Sequence, residues 1–92
     1  MNNKITKQKL EKYYNLSYKA LNIAKISVVK NKMKEAKEIF EMVEAYLSDS
    51  NHFKKKGDYV LAYGALNYAH GWIDAGARLK IYKVKDKNLF AI

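Results

Sequence analysis

GDYVLAYGALNYAHGWIDAGARLK, residues 57 to 80, is apolar around so much of a helical circumference that the other segments read as its wrapping. Gly57 suits the left-handed end of a preceding helix, and Asp58 is well placed to accept the free N–H groups of a new one. From Tyr59 onward, Tyr59, Ala62, Leu66, Ala69, Ile73 and Gly76 recur at three- and four-residue steps and share one face. A second stripe, Leu61, Ala65, Tyr68, Trp72, Ala75 and Leu79, interleaves with the first. It leaves a narrow polar strip through Gly64, Asn67, Gly71, Asp74 and Arg78, on which Asp74 and Arg78 are spaced for an ion pair. Such a helix is expected to touch neighbours on two sides.

The remainder of the chain supplies those neighbours. Met1 to Lys4 is expected to fray. Thr6 can cap a first helix, with Ile5 and Leu10 spaced as a hydrophobic staple. Leu10, Tyr13, Tyr14, Ser17, Leu21, Ala24 and Val28 then form its apolar stripe, with Leu16 and Ile23 just outside it. The β-branched run Ile26 to Val29 weakens that helix, Lys30 to Lys32 reads as a turn, and Asn31 is the expected cap of the next helix. Met33, Ala36, Ile39, Phe40, Val43, Leu47 and Ser50 line the inside of that second helix, and Lys54, Lys55 and Lys56 complement its C-terminal dipole before Gly57 ends it. Beyond Lys80, residues 81–84 read as extended, 85–88 as a turn and 89–92 as a second extended piece. A lone hairpin is marginal in water, so the tail is expected to cross the bundle or pair with another chain. The fold class is therefore all-α: a three-helix bundle with helices over about 7–29, 32–56 and 59–80 and a short extended tail over 81–92.

A chain of 92 residues with no cysteine is one domain without disulfides or thiolate metal sites. No apolar run approaches the roughly 20 residues that span a bilayer, and MNNKITKQKL has no signal-peptide core, so a soluble cytoplasmic protein without membrane attachment is expected. The net charge of +9 is unevenly placed: nine lysines stand against Glu11 in the first 34 residues, and five acids against Lys37 in residues 35 to 49.

At KGDYVLAYGALNYAHGWIDAGARLK the chain resembles the archaeal proteins grouped as domain-of-unknown-function family 357, in which a Gly-Asp-Tyr start precedes an Ala-His-Gly-Trp-x-Asp-Ala-Gly-x-Arg-Leu run. The resemblance is specific over Lys56 to Leu79 and looser through Tyr13, Tyr14, Leu16, Phe40 to Tyr46, Leu89 and Phe90. It implies an archaeal source and a bundle of the albumin-binding-domain type, and it supplies no activity. Lys80 stands where many relatives are expected to carry Gly.

No motif points to catalysis, a metal or a cofactor. No second His, Asp or Glu is read on the face of His70 at the i+3 or i+4 spacing of a helical metal site, and it reads as a partly buried histidine bonded to a carbonyl or tyrosine. His52 reads as solvated. The glycines match neither a phosphate loop nor a dinucleotide fingerprint, and Arg78 follows His70 instead of preceding it as a helical ribonuclease signature would require.

Tyr68 and Trp72 admit two readings: core, because a central helix would bury both stripes, or anchors of an interface. The expectation is a non-enzymatic protein-interaction or self-assembly module, with a homodimer ahead of an unidentified protein partner. Its candidate interaction residues are Tyr68, His70, Trp72, Asp74, Arg78, Leu89 and Phe90. The alternative is a nucleic-acid-binding accessory protein, with Lys12, Lys19, Lys80, Lys83, Lys85 and Lys87 as phosphate contacts.

Overall fold

The computed structural model describes residues 4–92, so the fraying expected of Met1 to Asn3 lies outside the described residues. Three helices follow one another: α1 (Lys7–Lys25), α2 (Met33–Lys55) and α3 (Tyr59–Arg78). α3 packs most extensively on α2 and also against α1, making the three-helix bundle that the periodicities imply. Among the described residues no helix is long and apolar enough to cross a membrane.

The helix ends follow local chemistry. Thr6 accepts the Lys9 N–H at 3.1 Å, and Asp58 accepts the Leu61 N–H at 3.2 Å. Gly57 closes α2 at φ +79°, with its own N–H donated to the Lys54 carbonyl and that of Asp58 to the Phe53 carbonyl. That bond pair satisfies carbonyls the helix would otherwise leave bare. α3 ends in the same way at Lys80, where the Lys80 and Ile81 N–H groups reach Ala77 and Gly76. Here the left-handed residue is a lysine, at φ 59°. A Cβ in that conformation costs about 1–2 kcal/mol, partly offset by the greater freedom glycine has in the unfolded chain. Lys80→Gly is therefore expected to stabilise the protein by about 0.5–1 kcal/mol, read as a rise of several degrees in thermal midpoint. A lower midpoint would contradict this account of the helix end.

Two boundaries differ from the sequence reading. α1 stops at Lys25 instead of continuing to residue 29, because the β-branched residues after it pair with the tail. Val28 and Tyr82 form an antiparallel bridge in which the Val29 N–H donates to the Ile81 carbonyl and the Lys83 N–H to the Ser27 carbonyl, both at 2.9 Å. α2 is entered through Lys32, which makes no side-chain cap bond, and not through Asn31. The last residues are not extended: the Leu89 and Phe90 N–H groups both donate to the Asp86 carbonyl in a single turn.

Leu10, Leu21, Val43, Leu66 and Ile73 sit at the centre of the core, and the tail completes it with Ile81, Tyr82, Leu89 and Phe90. Tyr82 lies over Gly76, its hydroxyl donating to the Ile73 carbonyl and its ring stacked on Phe40. Burial first, and then the Asp74 carboxylate, push this phenol well above its ordinary pKa, against a smaller opposing effect of a hydrogen bond with the Ala77 backbone. The folded state thus holds a proton that the unfolded chain releases near pH 10. The associated stability is whole below that pH and is lost above it at about 1.4 kcal/mol per pH unit. Between pH 8 and 11 the wild type is expected to lose about 1.4 kcal/mol more than Tyr82→Phe by denaturant unfolding. Equal losses would refute the linkage.

Candidate interaction surface

The first stripe of α3 is core, as its periodicity requires, whereas the second is largely uncovered. Tyr68 is 64% exposed, Trp72 39%, Leu61 50% and Leu79 70%; of that stripe only Ala65 is buried. α3 does touch neighbours on two sides, α2 and α1, but the reading of Tyr68 and Trp72 as core is corrected. α1, α2 and the tail cover one flank of α3 and leave the opposite one to solvent.

The uncovered strip runs the length of α3. On its α2 side it is bordered by Tyr46, whose ring stacks on Tyr68 with centroids 5.3 Å apart. Gly64 and Gly71 lie along its other edge, and a Cβ at either would meet nothing within 4 Å. Each glycine weakens α3 by roughly 1 kcal/mol relative to alanine, and neither makes room for anything in its own chain. Two aromatic rings and two leucines thus stand above solvent beside a shallow, small-residue edge. Arg78 is exposed at the end of the helix, off the apolar strip.

His70 belongs to a different feature. Its Nε2 lies 2.9 Å from the Leu89 carbonyl, which can only accept, so Nε2 carries a proton; Nδ1 lies 3.0 Å from the Ser17 hydroxyl, from which it accepts in the neutral ring. The carbonyl partner agrees with the sequence reading, but the absence of an acidic neighbour does not. Asp74 occupies the i+4 position, its Oδ1 3.6 Å from Nε2. The same oxygen accepts the Ala91 N–H at 2.9 Å, so Asp74 turns to the tail and the expected pair with Arg78 does not form.

Ser17, His70 and Asp74 are the residue types of a hydrolytic triad, but they are not arranged as one. The Ser17 hydroxyl group is on a residue 3% exposed, and the far ring nitrogen is taken by a carbonyl. What the three do is latch the tail. Leu89 and Phe90, expected as interaction residues, are 3% and 2% exposed inside their own chain, which removes them from any docking surface. Leu16 and Ile23, just outside the apolar stripe of α1, are partly buried against the core.

The six candidate lysines, Lys12, Lys19, Lys80, Lys83, Lys85 and Lys87, are all exposed. The tail starts beside Val28 and reaches Ser17 and His70 by Leu89, so Lys83, Lys85 and Lys87 follow the second half of α1, where Lys19 also lies. Asp86 interrupts them, accepting the Asn88 N–H at 2.8 Å. Among the described residues no cluster of three or more His, Cys, Asp or Glu side chains assembles.

Sequence reasoning missed two features. One is a cleft of about 590 Å³ at the junction of α1 and α2, lined by Val28, Met33, Ala36 and Phe40 with the stems of Lys25 and Lys37. No sequence signal marks it: the periodicity puts Met33 on the inner stripe of α2, where the structure leaves it 62% exposed, and carries the first helix past Lys25, where α1 ends. The other is the seating of Tyr82 on Gly76, for which a glycine on the core face of a helix was the available clue.

Comparison with known proteins bears on family and not on activity. No curated protein and no solved structure matches the chain. A family described as protein of unknown function (DUF357) matches residues 12–82, from the first half of α1 through all of α2 and α3 to Tyr82. With the two inter-helix turns and the whole of α3 inside that span, the chain belongs to the DUF357 family.

Proposed function

We propose that this protein is a non-enzymatic cytoplasmic interaction module that assembles through the uncovered face of α3, self-association being the form it takes. One observation carries the reading. Leu61, Tyr68, Trp72 and Leu79 keep 39–70% of their surface exposed along one face of α3. Large aromatic side chains held on a rigid helix with part of their surface in water are the usual anchors of protein interfaces, because burying them releases much water at little cost in conformational entropy.

Light scattering across micromolar to millimolar concentrations is expected to show a mass that rises from one chain to two. Trp72→Asp is expected to hold the mass at one chain with an unchanged far-UV spectrum. Replacing Lys80, Lys83, Lys85 and Lys87 by serine is expected to leave the rise intact. A single-chain mass at every concentration would remove the assembly reading.

A second reading has its own observation: the tail, held at Val28 and at His70, carries Lys83, Lys85 and Lys87 at exposed positions. A nucleic-acid backbone held there would bind with an affinity that falls steeply with salt, and the slope would count the phosphates engaged. Titration against labelled RNA and DNA at two salt concentrations decides it. Affinity independent of those lysines would reject it.

A further inference from the structure

We infer that the occupant of the α3 strip is a second copy of the chain lying antiparallel, with the two-fold axis passing beside residue 70; this rests on the assembly reading above. The strip has a symmetry of its own. Its residues, Leu61, Ala65, Tyr68, Trp72, Ala75 and Leu79, are spaced 4, 3, 4, 3 and 4, an order that reads the same in both directions. Their sizes do too: leucine, alanine, aromatic, aromatic, alanine, leucine.

Turned end for end about residue 70, Leu61 of one copy faces Leu79 of the other, Ala65 faces Ala75, and Tyr68 faces Trp72. Large meets large at the outer and central levels and small meets small between them, Ala65 lying at the floor of the strip at 7% exposure, and alternating four- and three-residue steps are those of the seam between two packed helices. An isologous contact of this kind closes on itself, so it yields a dimer and not a filament.

The area fits a modest interface. With Tyr68 64%, Trp72 39%, Leu61 50% and Leu79 70% exposed, these four side chains offer roughly 400 Å² per copy, and the alanine, the glycines and Tyr46 bring the total for two copies to about 1,000–1,200 Å². That is the lower end of specific interfaces, so the pair is expected to dissociate in the micromolar range.

The absence of cysteine makes the register directly readable. Leu61→Cys and Leu79→Cys are prepared separately, mixed above the dissociation constant and bridged with a short bis-maleimide. Both positions are half exposed or more, so the bundle keeps its fold, which far-UV circular dichroism verifies. The mixture is expected to give covalent dimer joined between positions 61 and 79, at least tenfold above either variant alone. Products joining 61 to 61 or 79 to 79 at comparable yield, with a two-chain mass by light scattering, would overturn the antiparallel register and leave assembly standing. A one-chain mass with no product would overturn both.

Discussion

Gly76→Ala is expected to destabilise the protein by about 2–3 kcal/mol, although alanine is the better helix former at an interior helical position by roughly 1 kcal/mol. The sign is decided by what faces the glycine. A Cβ at residue 76 would lie 2.6 Å from Tyr82 Cε1 and 2.5 Å from Cζ, closer than carbon atoms can approach. Tyr82 is 1% exposed, wedged between α3, Phe40 and Phe90, so the ring has no free direction in which to yield. Either the tail lifts and surrenders the burial of Tyr82, or α3 shifts and disturbs the core around Ile73. Overpacking of this kind typically costs about 1–3 kcal/mol before the displaced hydroxyl loses its Ile73 carbonyl partner.

Two controls isolate the cause. Gly64→Ala and Gly71→Ala, at positions where a Cβ meets nothing within 4 Å, are expected to raise the stability of the single chain by up to about 1 kcal/mol each. In a Tyr82→Val background, Gly76→Ala is expected to lose most of its penalty, a coupling that denaturant unfolding of the four species measures. An undiminished penalty would place the clash elsewhere.

The same pair of residues marks where the sequence stopped being legible. Caps and apolar periods are local, and they located all three helices: Thr6, Asp58 and Gly57 each take the role their side chain or conformational freedom suits. What a periodicity cannot carry is which neighbour lies on which side. The two stripes of α3 are almost equally apolar, yet one is core and the other faces water, because two helices and a tail can enclose only part of a third helix. The overlong α1 has a similar origin. Ile26 to Val29 continue the helical period well enough, and only the arrival of the tail, some fifty residues later, takes their backbone into a bridge. Asp74 shows the limit at a single side chain. Its i+4 spacing fits both Arg78 and His70, and the Ala91 N–H decides between them. Long-range contacts settle all three cases, and the last dozen residues take part in each.

Phe90→Ala is expected to cost about 3–4 kcal/mol, the range for removing a phenyl group from a site that cannot collapse. The ring is 2% exposed and packs against Tyr82, and its backbone N–H is held by the Asp86 carbonyl at 3.0 Å. Its neighbours are fixed from several directions: Leu89 by the His70 bond, Ala91 by Asp74, and Tyr82 by the bridge to Val28. So anchored, the tail cannot slide to refill the space, and a cavity term adds to the lost transfer energy. A domain of this size has only about 5–10 kcal/mol to lose, so the variant is expected to unfold at markedly lower denaturant, with unchanged cooperativity if the tail belongs to the same folding unit as the helices. A midpoint within experimental error of wild type would mean that the tail is dispensable to the core. Because Phe90 is buried, at 2% exposure, and is not one of the exposed strip residues Leu61, Tyr68, Trp72 and Leu79, the variant under folding conditions is expected to keep the concentration-dependent mass of the wild type. Loss of stability without loss of assembly would separate the two tasks physically: the inner face of α3 with the tail makes the fold, and the outer face is left to make the contact.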